Sequence, residues 1–137
     1  MSSNLIFDTS AYSNLRKGSA ALEQLLAGAA GLSVPVAVIA EIEYGFMNGN
    51  DYSKNYRELE HFLAQDFVQV LYIDTLQLAK HFAGLKLFCK KKGRALSEHD
   101  LWIASLAKQH DYELVTFDQD FEVLKELLPS TLHILKD

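Results

Sequence analysis

Eighteen aspartates and glutamates are scattered through the 137 residues, and four short stretches set acids where they could meet. These stretches hold Asp8, the pair Glu41 and Glu43, Asp100, and the pair Asp118 and Asp120. Carboxylates gathered at one point offer hard oxygen ligands, the donors that Mg²⁺ and Mn²⁺ prefer. Asp100 is the sharpest of the candidates. At 100° per residue, Ala107, Ala104 and Ile103 lie about 20°, 40° and 60° from it on a helical wheel. It therefore falls within an apolar stripe of small residues, where an unpaired carboxylate needs a cation, a metal or a proton. Trp102 and Leu106 form a second apolar face, so the same helix is expected to be covered on two sides.

The other acids depend on the elements that carry them. Residues 4–7 read as a short buried strand ending at Asp8, with Thr9 or Ser10 able to cap the following helix. Gly18 closes that helix, and an Ala-rich helix over 20–30 ends at Gly31. A strand is expected over 32–35, then helices over 36–46 and 52–65, then a strand over 67–73. Asp74 or Thr75 caps a long helix through Leu78, Phe82, Leu85 and Phe88, stopped by Gly93, and Ser97 caps another over 98–110. Residues 113–116 form a buried strand, Asp118 opens a short helix, and 132–135 form a last strand. Strands alternating with helices predict an α/β fold, a mainly parallel central sheet with helices on both faces, in one domain spanning 1–137.

In such sheets ligands bind beyond the carboxyl ends of the strands. Asp8 follows the first strand, and Asp118 and Asp120 follow the strand over 113–116, so two strands deliver acids to one edge. Both Asp8 and Asp118 also suit helix caps, and Ser10 could cap in place of Asp8. Glu41 and Glu43 flank the face made by Val38, Ile39, Ile42 and Phe46 from opposite sides, and periodicity does not choose between them.

Composition bounds the rest. Hydrophobic residues make up 49% and charged residues 23%, a globular balance that argues against disorder. No apolar stretch is long enough to span a bilayer, and no secretory signal pattern precedes the first strand. The lone Cys89 suits a reducing cytoplasm and reads as a small buried hydrophobe. A net charge of −5 argues against a nucleic-acid partner unless cations are local. Arg16 with Lys17, and Lys90, Lys91 and Lys92 with Arg94, are two such runs; the second also suits a solvated helix end offsetting the macrodipole. The five histidines form no H-x-x-x-H pair; His99, beside Asp100, could orient a carboxylate, but an exposed position is expected.

Taken in order, four segments resemble a PIN domain of the VapC toxin type: Asp8-Thr9-Ser10, Ala40-Glu41-Ile42-Glu43-Tyr44-Gly45, Asp100-Leu101-Trp102-Ile103-Ala104 with Ala107, and Thr116-Phe117-Asp118-Gln119-Asp120-Phe121. The resemblance runs from residue 4 to about 121. It implies a PIN-like fold and a metal-dependent endoribonuclease. It also implies the toxin of a toxin–antitoxin pair: a cytoplasmic homodimer that cuts RNA and is silenced by a VapB-like antitoxin. The acid after Ala40 is the family's, which selects Glu41 over Glu43. The implied catalytic and metal-holding residues are Asp8, Glu41, Asp100 and Asp118, with Asp120 an alternative to Asp118, and the implied ion is Mg²⁺ or Mn²⁺. Thr9, Ser10 and Thr116 stand beside the acids as supporting hydroxyls, and Arg16, Lys17, Lys90, Lys91, Lys92 and Arg94 are the candidate RNA contacts.

Two other acidic α/β families fit less well. A haloacid-dehalogenase-type phosphatase wants a second Asp where Ser10 stands, and the phospho-acceptor and Lys pattern of a receiver module is missing. A non-catalytic acidic-pocket module that oligomerises through its apolar helices is the remaining alternative.

Overall fold

The structure, a computed structural model, describes residues 3–136. Met1, Ser2 and Asp137, which the one-domain reading includes, lie outside the described residues. Five strands form one sheet: β1 (Asn4–Phe7), β2 (Gly31–Pro35), β3 (Val68–Leu71), β4 (Glu113–Thr116) and β5 (Leu132–Ile134). Their order is β3-β2-β1-β4-β5, and every neighbouring pair is parallel. Ile6 pairs with Ser33 on one side and Leu114 on the other, so β1 is central.

Successive residues of a strand face opposite sides of a sheet. Leu5, Ile6 and Phe7 are all buried, as are Leu114, Val115 and Thr116, so helices cover both faces at the centre. The helices are α1 (Thr9–Arg16), α2 (Ala20–Ala27), α3 (Val36–Met47), α4 (Tyr52–Leu63), α5 (Leu76–Lys92) and α6 (Glu98–His110). A 3-10 helix, Gln119–Leu124, follows β4. The chain builds outward from β1 through β2 to β3, then crosses back to β4 on the other side. That reversal makes the β1–β4 boundary the topological switch point.

Helix α6 is the most enclosed, with Leu101, Ile103, Ala104, Ser105, Leu106 and Ala107 buried. Its second apolar face meets α5, where Phe82 stacks on Trp102 at 4.1 Å between ring centroids. Thr75 caps α5 and Ser97 caps α6, each accepting a backbone N–H three residues on, and Gly93 ends α5 at φ 69°. Left-handed backbone of that kind is why glycine stands there.

Several ends differ from expectation. Helix α2 stops at Ala27, because Gly28 forms its C-cap and Gly31 already belongs to β2. Strand β3 is shorter than 67–73, leaving Phe67, Tyr72 and Ile73 exposed. It is an edge strand paired only with β2, so apolar residues at its ends have no second strand to extend along. Helix α4 ends at Leu63 and β5 at Ile134, each within two residues of expectation. Neither Thr9 nor Ser10 caps α1: Asp8 does.

Candidate active site

Asp8 leaves β1 in extended conformation and is 3% exposed. Its Oδ1 accepts the Ala11 N–H at 2.9 Å and the Ser10 hydroxyl at 2.7 Å. Its Oδ2 accepts the Thr116 hydroxyl, from the end of β4, at 2.5 Å. Burial raises the Asp8 carboxyl above the usual range, those three donors oppose the rise, and the charge of Asp118 adds to it. Asp8 is thus a cap and a member of an acid cluster at once.

The two strand ends are laced together. Ser10 Oγ accepts the Phe117 N–H at 2.9 Å, and Thr116 Oγ1 accepts the Asp118 N–H at 2.9 Å. Asp118 then accepts the Asp120 N–H at 2.9 Å through Oδ1, opening the 3-10 helix and leaving Oδ2 for other partners. Asp120 is exposed and Asp118 half-buried.

Asp100 enters from the first turn of α6, where its N–H donates to Ser97 Oγ at 3.1 Å. Its carboxyl is pushed up to about 6, first by burial and then by the charges of Asp8 and Asp118, against the lowering effects of Ser97 and His99. The charges of Asp8 and Asp118 therefore reach Asp100 from the ends of β1 and β4, across the switch point.

Glu41 comes from α3, which packs against α6. Its side chain is 48% exposed, and its Oε2 lies 3.3 Å from Nε2 of His99, the residue before Asp100. Glu41 therefore adjoins the first turn of α6, through the residue next to Asp100. Glu43 turns elsewhere: its Oε2 accepts the Tyr52 hydroxyl at 2.8 Å, and it lines a groove of about 430 Å³ between α3 and α4 that holds none of the four acids. Periodicity left the two glutamates equal, but only Glu41 adjoins α6.

For His99 the less favoured of two expectations, a ring turned toward a carboxylate rather than an exposed one, matches its place beside Glu41. Its side chain is 27% exposed and its Nε2 is buried without a hydrogen-bond partner. The buried hydroxyl of Thr9, next to Asp8, is also unpartnered. The one signal for His99 was its position beside Asp100, which does not say which way the ring turns.

The donor set suits a hard divalent ion: carboxylate oxygens that repel one another and unsatisfied polar atoms beside them. Among the described residues no group of three His, Cys, Asp or Glu side chains is arranged to enclose an ion directly. The residues fit such an ion in chemistry, with part of its shell left to water, as Mg²⁺ commonly keeps it.

Of the cations, Arg16 pairs with Glu58 at 2.8 Å and Lys92 with Glu126 at 2.7 Å. Lys17, Lys90, Lys91 and Arg94 are exposed and form no ion pair among the described residues. Cys89 is a free, buried thiol, and no described helix is long and apolar enough to cross a membrane.

An open parallel sheet with acids clustered outside its switch point defines an α/β protein whose site is built from strand ends. More particularly, this chain belongs to the PIN domain family, whose model matches residues 5–127. Its fold is shared with VapBC-1 from nontypeable Haemophilus influenzae (TM-score 0.77, 23% identity, 90% of this chain and 93% of that one). VapBC-5 of Mycobacterium tuberculosis is similar along nearly the whole length (TM-score 0.74, 24% identity, 98% and 99% covered). The sarcin–ricin loop cleaving toxin VapC20 of the same organism is also similar (TM-score 0.63, 15% identity, 86% and 92% covered). No curated protein sequence matches this chain significantly.

Proposed function

We propose that this chain is a Mg²⁺- or Mn²⁺-dependent endoribonuclease, the toxin of a VapBC-type toxin–antitoxin pair. The observation that carries the reading is the burial of Asp8 and Asp100, which raises both carboxyls first, with the charge of Asp118 adding to each and that of Asp8 adding to Asp100. The PIN family match supports it, as does the likeness in fold to VapBC proteins and to a toxin that cleaves the sarcin–ricin loop.

In this reading Asp8, Glu41, Asp100 and Asp118 hold the ion, directly or through its waters. A bound divalent ion supplies Lewis-acid polarisation of a phosphate and a lower pKa for water. The chain's own groups do the rest. Ser10 and the Ala11 N–H orient Oδ1 of Asp8 and fill its acceptor sites, while Thr116 orients Oδ2 and leaves it a free lone pair. Without an ion the Asp100 carboxyl stands at about 6, so a cation held there would displace a proton that an ordinary aspartate has already lost. Lys17, Lys90, Lys91 and Arg94 offer charge to the RNA backbone, which answers the acidic net charge.

The partners follow from the same reading. The protein acts in the cytoplasm as a homodimer. Its antitoxin lies over apolar helices, where Tyr44, Met47, Tyr52 and Tyr56 of α3 and α4 are exposed, and offers an arginine to the acids. The test incubates purified protein with total RNA and Mg²⁺, Mn²⁺ or EDTA, beside Asp8→Asn and Asp100→Asn. Cleavage that needs the ion and is lost in both variants is expected. Equal cleavage by the variants sinks the proposal.

A further inference from the structure

Three of the four acids are anchored. Asp8 has its three donors, Asp118 caps the 3-10 helix, and Asp100 sits on the Ser97 cap. Glu41 differs: it is the longest of the four, it is half exposed, and none of those hydroxyls or backbone amides reaches it. Three rotatable side-chain bonds let such a carboxylate sample positions that face away from the other acids. Its neighbour across the α3–α6 packing is His99, with Nε2 at 3.3 Å from Oε2.

The ring nitrogen is itself in want of a partner. Nε2 of His99 is buried, and its present alignment with Glu41 is too poor for a hydrogen bond. A bare lone pair there would face a carboxylate oxygen, so the favoured neutral tautomer carries its proton on Nε2. A small rotation of the Glu41 side chain satisfies both groups. Because His99 directly precedes Asp100 on α6, one helix turn supplies an acid to the cluster and a donor to the acid opposite.

We propose that His99 is a positioning residue, whose Nε2–H holds the Glu41 carboxylate of α3 against the Asp8–Asp100–Asp118 cluster. The proposal rests on the reading of these four acids as one ion-holding site. His99 touches neither RNA nor ion; it acts through Glu41.

Two measurements test it, neither requiring turnover. Long-range ¹H–¹⁵N spectra of the metal-free protein should give His99 the Nε2–H tautomer, with its signals moved by Glu41→Gln. Titration calorimetry with Mn²⁺ should show His99→Leu weakening binding about tenfold to a hundredfold, the usual effect of losing a group that orients a ligand. His99→Gln, whose amide can donate in the same direction, should restore most of that loss. A double variant, His99→Leu with Glu41→Gln, should bind no worse than Glu41→Gln alone. An Nδ1–H tautomer, unchanged Mn²⁺ affinity in His99→Leu, or equal loss in the Leu and Gln variants would overturn the proposal. Asp100→Asn separates the two levels: if it also binds Mn²⁺ like the wild type, the four-acid site itself is wrong. If it abolishes binding while His99→Leu does not, only the role of His99 falls. Should His99→Leu fail to fold, the tautomer and the Gln variant decide.

Discussion

The hydroxyl of Thr116 donates to Asp8 Oδ2 at 2.5 Å, joining residues 108 positions apart in the chain. Thr116 is fully buried, so no solvent molecule takes over when the hydroxyl is lost. Thr116→Val keeps the shape and removes both the donor to Asp8 and the acceptor for the Asp118 N–H. A loss of about 1–3 kcal/mol is expected, the cost of leaving buried polar groups unsatisfied. The Asp8 carboxyl, already raised by burial, rises further without this donor. The folded form then keeps a proton that the unfolded form releases, so the penalty grows as pH rises through the carboxylate range. Urea unfolding at pH 4 and pH 8 checks this, and equal losses at both would contradict it.

Adding the ion should stabilise the fold. At a hundred times its Kd, a ligand of the folded state alone contributes about 2.7 kcal/mol. For a chain of this size that is roughly 3 °C in Tm per kcal/mol. Mg²⁺ or Mn²⁺ is expected to raise Tm, and Asp100→Asn to remove most of the rise. A mutant that responds like the wild type would remove Asp100 from the site.

Without metal, the same substitution should act in the opposite direction. The Asp100 carboxyl stands at about 6 in the folded protein against 3.8 ordinarily. Folded protein thus binds more protons than unfolded protein between those values, and stability falls as pH rises through that window. Asp100→Asn in EDTA should be more stable than wild type above pH 6, and the gap should close near pH 4. On the order of 1 kcal/mol is expected, after discounting for the exposed part of the side chain. Thermal melts in EDTA across this range are the measurement.

At the other end of the sheet, Glu113 accepts from His133 Nε2 at 2.5 Å, and Ser3 and His133 lower its carboxyl. A lowered folded value means stability present above the ordinary carboxylate pKa and lost as pH falls through the lowered one. Glu113→Gln should therefore melt below wild type at pH 6 and match it near pH 3. A constant difference would point to packing instead.

The unpaired cations make a separate prediction for RNA. Replacing Lys90, Lys91 and Arg94 by Gln in an Asp100→Asn background should weaken binding of single-stranded RNA. The slope of log K against log salt should shrink by about 0.7 for each phosphate that is no longer neutralised. Binding and slope that stay unchanged would leave these residues as the solvated end of α5.

How much of this was legible beforehand follows from how far each signal reaches along the chain. The strand and helix order, the cap at Ser97 and the stop at Gly93 rest on neighbours within a turn, and the structure has them as read; of Asp74 and Thr75 it is Thr75 that caps α5. Asp100 stood out for the same reason, because its burial is a property of the stripe it shares with Ile103, Ala104 and Ala107. Helix and strand periodicity are local, and a single sequence carries them in full.

Tertiary structure decided what periodicity could not. Asp8 rather than Ser10 caps α1, because Ser10 is drawn to the Phe117 N–H beyond β4. Glu41 rather than Glu43 adjoins α6, because the α3–α4 packing turns Glu43 toward Tyr52. His99, expected at the surface, turns inward to Glu41. The sequence alone determined which acids could meet at one edge of a parallel sheet. Which of them meet, and what holds them, depends on contacts between residues tens of positions apart, for which a single chain carries no local signal.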